Sequence, residues 1–270
     1  MGDTMLFVFE GETIETQIFN SIEANFFSSP DSRTAVKSFF CGDILQLWKK
    51  VRNDPYLDIV EVLKERPSSS IGSLKRSDVS EVHLFFDHDG HSRPDMPPEE
   101  YHGQIIDLLD TFSDEHEMGK LWISYPMAEA IRNCKKNPSE CFSDAHLKIC
   151  DNVNYKNFVH RNSDYADIRK YDKPVWYYMC AINTQRAHCI VSDTYKAIFD
   201  YGEINGWFEG KPSIVKMIHE KQFDKFIKPK SGVVALSPFP LFLLYYFGRP
   251  FFNECKCDET EKTCYFSCYH

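Results

Sequence analysis

No apolar stretch of the chain is long enough to cross a bilayer. The most apolar run, Leu241 to Phe247, follows Pro238 and Pro240, whereas a spanning helix needs about 20 apolar residues. The opening Met1-Gly2-Asp3-Thr4-Met5-Leu6-Phe7-Val8-Phe9-Glu10 lacks the basic flank and the length of a secretory signal. Gly2 suits myristoylation, but Leu6 stands where Ser or Thr is wanted. These absences predict a soluble cytoplasmic protein with no membrane partner. A phosphate-binding Gly-x-x-x-x-Gly-Lys-Ser loop is also missing, so any ATP hydrolysis has to come from a partner. Excess positive charge is missing too. The net charge of −9 argues against coating nucleic acid nonspecifically, while leaving room for an enzyme that grips phosphates through one local basic patch. Internal repeats and low-complexity tails are absent.

What is present is core material. Hydrophobic residues make up 43% of the 270, with 22 Phe and 14 Tyr, which excludes disorder as the general state. The length allows one large domain, or a core of about 150 residues with an appended part. Ten Cys in a cytoplasmic chain are expected to be mostly reduced, and four of them crowd the end.

The stretch Leu84-Phe85-Phe86-Asp87-His88-Asp89-Gly90-His91 carries the strongest signal. An apolar strand runs straight into two aspartates and a glycine, so it presents acid at its C-terminal end. Open α/β sheets bind ligands at that edge. Two carboxylates that close repel unless a cation or a proton intervenes, and Mg²⁺ takes oxygen ligands of this kind.

Elsewhere, Met5 to Phe9 reads as a buried strand, broken by Glu10-Gly11-Glu12-Thr13. Ile14, Ile18, Phe19, Ile22 and Phe26 then fall on one helical face. Ala35 to Cys41 predicts a second strand, and Ile44, Leu45, Leu47, Trp48 and Val51 a helix, with a further helical turn from Tyr56 to Leu63. Glu81 to Phe86 is the third strand, Tyr101 to Phe112 a helix and Lys120 to Ser124 the fourth strand, with another helix from Pro126. Strands alternating with helices predict a parallel sheet covered on both faces, with strand C-termini on one rim. Glu10, Asp87 and Asp89 are then expected to share a Mg²⁺ or Mn²⁺ site. Such an ion polarises a phosphoryl oxygen and activates a nucleophile. The bland alternative is acids that cap a sheet edge and a helix start. Val175 to Phe199 and Ile214 to Ile227 read as helical, and Gly232 to Phe252 is apolar, Pro-rich and aromatic. The division expected is 1–139 as catalytic domain, 140–252 as a mostly helical part for substrate binding or oligomerisation, and 253–270 as a Cys-rich tail.

The order strand, Glu-Gly, helix, strand, helix, strand, Asp-x-Asp resembles the TOPRIM pattern, over Met5 to about Ile131. Phe7 to Thr13 is similar to the Glu-Gly-Glu-Thr opening of small bacterial TOPRIM proteins of the RloB and AbiL type, which relate to the OLD-family nucleases. The plan also resembles the TOPRIM effector of PARIS-type anti-phage systems, which work with an ABC-type ATPase partner. Ser124-Tyr125-Pro126-x-x-Glu129 resembles the Ser-x-Pro-x-x-Glu element of RloB-like proteins. The resemblance implies a Rossmann-like sheet and a metal-dependent endonuclease acting on RNA, tRNA included, or DNA, as an antiviral effector held off by its partner. It also implies Glu10, Asp87 and Asp89 as metal-holding catalytic acids, with Glu12 and Glu129 at accessory positions. A catalytically silent module of the same fold, binding or sensing within a defence complex, is the alternative. No primase zinc finger and no strand-passage region accompany the pattern. A haloacid-dehalogenase-like phosphatase would want its Asp near the first strand. A glycosyltransferase Asp-x-Asp would sit in a larger nucleotide-binding domain. Both explain Glu10 less well.

His88 and His91 flank the acids and read either as proton shuttles or phosphate contacts or as surface-loop histidines. Arg161, Arg169, Lys170 and Lys173, interleaved with Tyr155, Phe158, Tyr165 and Tyr171, suit phosphate grip with base stacking. The other reading is a solvated face over core aromatics. Cys255, Cys257, Cys264 and Cys268 suit tetrahedral Zn²⁺, although their spacing is not that of a Cys-x₂-Cys knuckle; reduced thiols are the alternative. Homodimerisation through the helical half is expected of an acidic, aromatic-rich chain, without a place for the interface.

Overall fold

The computed structural model describes residues 4–28, 34–54, 56–65, 74–88, 96–136, 145–149, 154–194, 200–210 and 212–256. Strand β1 (Thr4–Phe9) leads to helix α1 (Thr13–Ile22), β2 (Ala35–Phe40), α2 (Ile44–Asn53), α3 (Ile59–Lys64), β3 (Val79–Asp87), α4 (Pro98–Thr111), β4 (Ser113–Asp114) and β5 (Gly119–Ser124). A five-stranded sheet runs in the order β2-β1-β3-β5-β4. β1 lies parallel to both β2 and β3. The chain is therefore α/β, with a mostly parallel central sheet flanked by helices. It divides into two compact units: Met1–Asp87 with His102–Trp122, and His88–Tyr101 with Ile123–His270.

In the first unit, β1 is buried from Met5 to Phe9, as a continuous apolar run requires of a strand covered on both faces. Phe7 stacks on Phe85 at 5.6 Å between ring centroids and meets Phe19 edge-on at 5.5 Å. Helix starts are set by side-chain caps. Asp43 accepts from Leu45 N at 2.8 Å, and Asp58 from Val60 N at 2.7 Å, satisfying amides that a first turn leaves unpaired. The Asp58 cap starts α3 at Ile59, so Tyr56, expected to be helical, stands 95% exposed before it.

Two further features differ from the sequence reading in this unit. The helical face expected to end in Phe26 buries Phe27 instead, because α1 runs into a π-helical turn at Glu23–Phe27. One wide turn advances the register by a residue. The sheet is also not wholly parallel. β4 pairs antiparallel with β5 as a two-residue edge, too short to leave a period-2 signal.

His83 lies fully buried on β3. Trp122 Nε1 donates to its Nδ1 at 3.2 Å, so Nε2 carries the proton toward Glu81 Oε2 at 3.0 Å. Burial lowers the pKa of His83, partly opposed by the hydrogen bond and charge of Glu81 and by Glu115, with Lys120 adding to the lowering. The folded state therefore takes up this proton at lower pH than the unfolded chain. The native advantage is intact above the unfolded value of about 6.5 and declines as pH falls below it, with a slope of up to about 1.4 kcal/mol per pH unit. Denaturant unfolding at stepped pH is expected to show this decline, and His83→Gln to flatten it. An unchanged slope in that variant would remove His83 as the cause.

The second unit contains β6 (His146–Lys148), α5 (Tyr155–Asn162), α6 (Lys173–Ser192), α7 (Tyr201–Glu209), α8 (Ile214–Gln222), a π-helical turn Phe223–Ile227, α9 (Lys228–Lys230), β7 (Gly232–Val234) and α10 (Pro238–Lys256). α6 packs along α10 and buries a polar run. Asn183 Nδ2 donates to Met179 O at 2.9 Å, Thr184 to Cys180 O at 2.6 Å, and Arg186 to Asn133 O at 2.6 Å, so these buried groups are hydrogen-bonded as burial demands. The stretch Gly232 to Phe252 resolves into β7 and α10. Pro238 and Pro240 fall in the first turn of α10, where a missing amide costs nothing. Gly248, with φ of +65°, interrupts α10, a backbone conformation that favours glycine.

This half was expected to hold few strand signals, yet β6 and β7 pair antiparallel. Each has three residues, and the pairing is reinforced from outside the pattern. The Gln222 side chain donates to Val234 O at 2.7 Å and accepts from Val234 N at 3.0 Å, acting as an extra strand residue. α6 ends at Ser192 rather than near Phe199, with Asp193 in the left-handed conformation at φ of 60°, a common way to stop a helix. No helix among the described residues is long and apolar enough to cross a membrane.

Candidate metal centre

The C-terminal ends of β1 and β3 are neighbours because the two strands pair directly, with Phe9 opposite Phe85. One residue beyond β1, half-buried Glu10 turns its side chain across this edge. Glu10 Oε2 accepts a hydrogen bond from the backbone N–H of Asp87 at 3.2 Å. Asp87 is also half-buried. The structure therefore brings Glu10 and Asp87 together at one end of two adjacent parallel strands. Asp89, Gly90 and His91 lie outside the described residues.

A buried acid that the sequence reading passed over stands in the first turn of α1. Glu15 is 7% exposed. Its carboxylate folds back over Gly11: a Cβ on that glycine would stand 2.9 Å from Glu15 Oε1 and 3.2 Å from Oε2. A side chain at that position would push the flexible end of Glu15 aside. A helix start also favours negative charge. Glu12, expected as an accessory acid, is exposed at the N-cap of α1 and makes no side-chain cap. Its carbonyl accepts from the Thr16 hydroxyl. The available signal was the spacing of Gly11 and Glu15, four residues apart across the first helical turn.

The donor set at this edge is all carboxylate oxygen, which suits Mg²⁺ or Mn²⁺ rather than a soft metal. Among the described residues no group of three or more His, Cys, Asp or Glu gathers to hold a metal ion. Glu10 and Asp87 are the converging pair.

His88, the next residue after Asp87, is not on a surface loop. It is 1% exposed, with its ring stacked on Tyr125 at 5.2 Å and edge-on to Tyr101 at 5.3 Å. Glu129 sits in a 3₁₀ turn, Ala128–Arg132, 5% exposed, with Oε1 3.2 Å from Lys156 Nζ. No donor among the described residues meets its Oε2.

Of the basic cluster, Arg161, Arg169, Lys170 and Lys173 are all exposed. Arg169 is held by Asp167 through Nε at 2.8 Å and a terminal nitrogen at 3.1 Å. That pairing lowers the Asp167 pKa and raises that of Arg169. The aromatics interleaved with these residues face mostly inward. Tyr155 and Tyr171 are core residues, Tyr165 is half-buried, and Phe158 alone of the four is exposed, at 45%. At the end of α10, Cys255 is fully buried beside Cys180. Burial, with a hydrogen bond to the Cys180 thiol, pushes the Cys255 thiol well above its ordinary pKa. Cys257, Cys264 and Cys268 lie outside the described residues.

A further polar group closes the end of α6. Ser192 Oγ lies 3.0 Å from His188 Nδ1, and Glu203 Oε1 lies 3.4 Å from Nε2. The Thr194 carbonyl also faces Nδ1, at 2.9 Å. A carbonyl only accepts, so Nδ1 donates and cannot take a proton from Ser192. The hydroxyl instead reaches His188 O at 2.8 Å. This is a helix terminus, not a nucleophile and its base.

No family model, curated protein or solved structure matches the chain. The functional reading stands on the geometry and on the sequence motifs.

Proposed function

We propose that the chain is a TOPRIM-type, metal-dependent endonuclease that hydrolyses phosphodiesters of RNA or DNA as an effector of anti-phage defence. The observation that carries this reading is the hydrogen bond from Asp87 N to Glu10 Oε2 across the ends of two parallel strands. It brings the Glu-Gly turn and Asp87, distant in sequence, to one rim.

Glu10, Asp87 and Asp89 are the residues that would hold Mg²⁺ or Mn²⁺. A bound ion of this kind supplies charge stabilisation at a phosphoryl oxygen and an activated water. The chain's own part is to concentrate negative charge at the rim and to fix the Glu10 carboxylate through the Asp87 amide. The exposed Arg161, Lys170 and Lys173 offer cations to a phosphate backbone. Without an ATP-binding loop of its own, the chain suits a partner ATPase as its control.

A second reading draws on the absence, among the described residues, of any three-ligand group. In it the same fold is a silent binding or sensor subunit. Incubation of the full chain with Mn²⁺ and a panel of tRNA, other RNA and DNA separates the two. Cleavage that EDTA abolishes supports the nuclease. Inert protein that also fails to bind Mn²⁺ in calorimetry supports the silent module.

A further inference from the structure

His219 belongs to no motif, yet it closes a ring of hydrogen bonds that holds Tyr125. It is fully buried on α8, and its Nδ1 lies 3.1 Å from the Tyr125 hydroxyl. Tyr125 exchanges two backbone hydrogen bonds with Leu236, both at 2.9 Å. Leu236 continues from β7, and Val234 of β7 is held on both backbone groups by Gln222. Gln222 is on α8, three residues after His219. The path from His219 through Tyr125, Leu236, Val234 and Gln222 returns to its own helix. A closed ring of this kind leaves Tyr125 little freedom. Burial pushes the Tyr125 hydroxyl well above its ordinary pKa, so it keeps its proton for this bond.

The Tyr125 ring in turn stacks on His88 at 5.2 Å and 29°, and the His219 ring lies 5.9 Å from it. The backbone of His88 is held at both ends. Its N–H donates to Ser124 O at 2.9 Å, and its carbonyl accepts from the Tyr101 hydroxyl. His88 is bonded directly to Asp87 in the chain, so whatever immobilises His88 also limits the backbone of the candidate ligand.

We infer that His219 is a positioning residue for the metal-binding end of β3, acting through Tyr125 and His88 on the peptide that carries Asp87. The inference rests on the metal-site reading above. Groups that orient metal ligands from behind typically change metal affinity by 10–100-fold when lost.

Calorimetric titration of the full-length protein with Mn²⁺ tests this, alongside thermal melting. Wild type is expected to bind, and Asp87→Asn to bind less well. His219→Gln is expected to lose about tenfold in affinity. His219→Asn, whose side-chain amide places a polar atom near the position of Nδ1, is expected to stay close to wild type. Tyr125→Phe keeps the ring, loses only the hydroxyl, and is expected to match His219→Gln; it carries the test should His219→Gln fail to fold. Unchanged affinity in a folded His219→Gln or Tyr125→Phe, with Asp87→Asn weakened, would overturn the positioning role and leave the metal site standing. An equal loss in His219→Asn would also overturn it, since bulk and not Nδ1 would then matter. Wild type that binds no Mn²⁺, or binds it regardless of Asp87→Asn, overturns the metal site and this inference with it.

Discussion

Replacing Glu10 by alanine is expected to lower Mn²⁺-dependent phosphodiester cleavage by at least about 10²–10³-fold, and Asp87→Ala to do the same, the scale on which one preorganised electrostatic contact is lost. Both residues stand at the ends of paired strands, with the Glu10 carboxylate held by the Asp87 amide, and neither variant removes a fully buried side chain. Folding should therefore survive in both. Glu10→Gln separates two roles. Its amide oxygen can still accept from Asp87 N, so the local backbone is kept while the charge is lost. Activity as low as in Glu10→Ala assigns the effect to charge at the rim. Activity near wild type assigns Glu10 to structure alone. Initial rates at saturating Mn²⁺ against the best substrate, with circular dichroism as a fold check, decide between them. Full activity in both alanine variants would remove the pair from catalysis.

Phe7→Ala is expected to destabilise the first unit by about 3–5 kcal/mol, the range for deleting a buried aromatic. Phe7 is fully buried. Its ring centroid lies within 6.4 Å of those of Phe9, Phe19, Phe27, His83 and Phe85. The variant thus opens a cavity lined by rigid rings and by the central strand, which has little room to collapse. Phe158→Ala is the contrast. That side chain is 45% exposed on α5, and its loss should cost within about 0.5 kcal/mol. Urea unfolding followed by circular dichroism compares them. Similar midpoints for the two variants would contradict the placement of Phe7 at the centre of the core.

The parts of the fold legible in the sequence are those where one signal governs. β1 and β3 are buried on both faces, so their apolar runs stand out. Ile44 to Val51 keeps one apolar face at helical spacing, and α2 forms over it. The meeting of Glu10 and Asp87 follows from strand order alone, since neighbouring parallel strands end on one rim. What escaped notice depends on contacts between distant residues. β6 and β7 are three residues each and are completed by the Gln222 side chain, which no local pattern announces. A single wide turn exchanges Phe27 for Phe26 in the core. Tyr155 and Tyr171 look like a stacking surface when interleaved with Arg161 and Arg169, but both are buried in the core, and burial raises the pKa of both hydroxyls. His88 read either as a proton shuttle or as a loop residue because it sits between two aspartates, yet its partners Tyr101, Tyr125 and His219 arrive from three other segments. Glu15 was passed over because its neighbour Glu12 matched the familiar text.

The central claim is that Glu10 and Asp87 share one divalent ion. Crystals soaked in Mn²⁺ and measured at the manganese absorption edge test it most directly. The account predicts one strong anomalous peak at the ends of β1 and β3, about 2.1 Å from a carboxylate oxygen of each residue. A peak that touches only one of them, or none at that rim under saturating Mn²⁺, would contradict it.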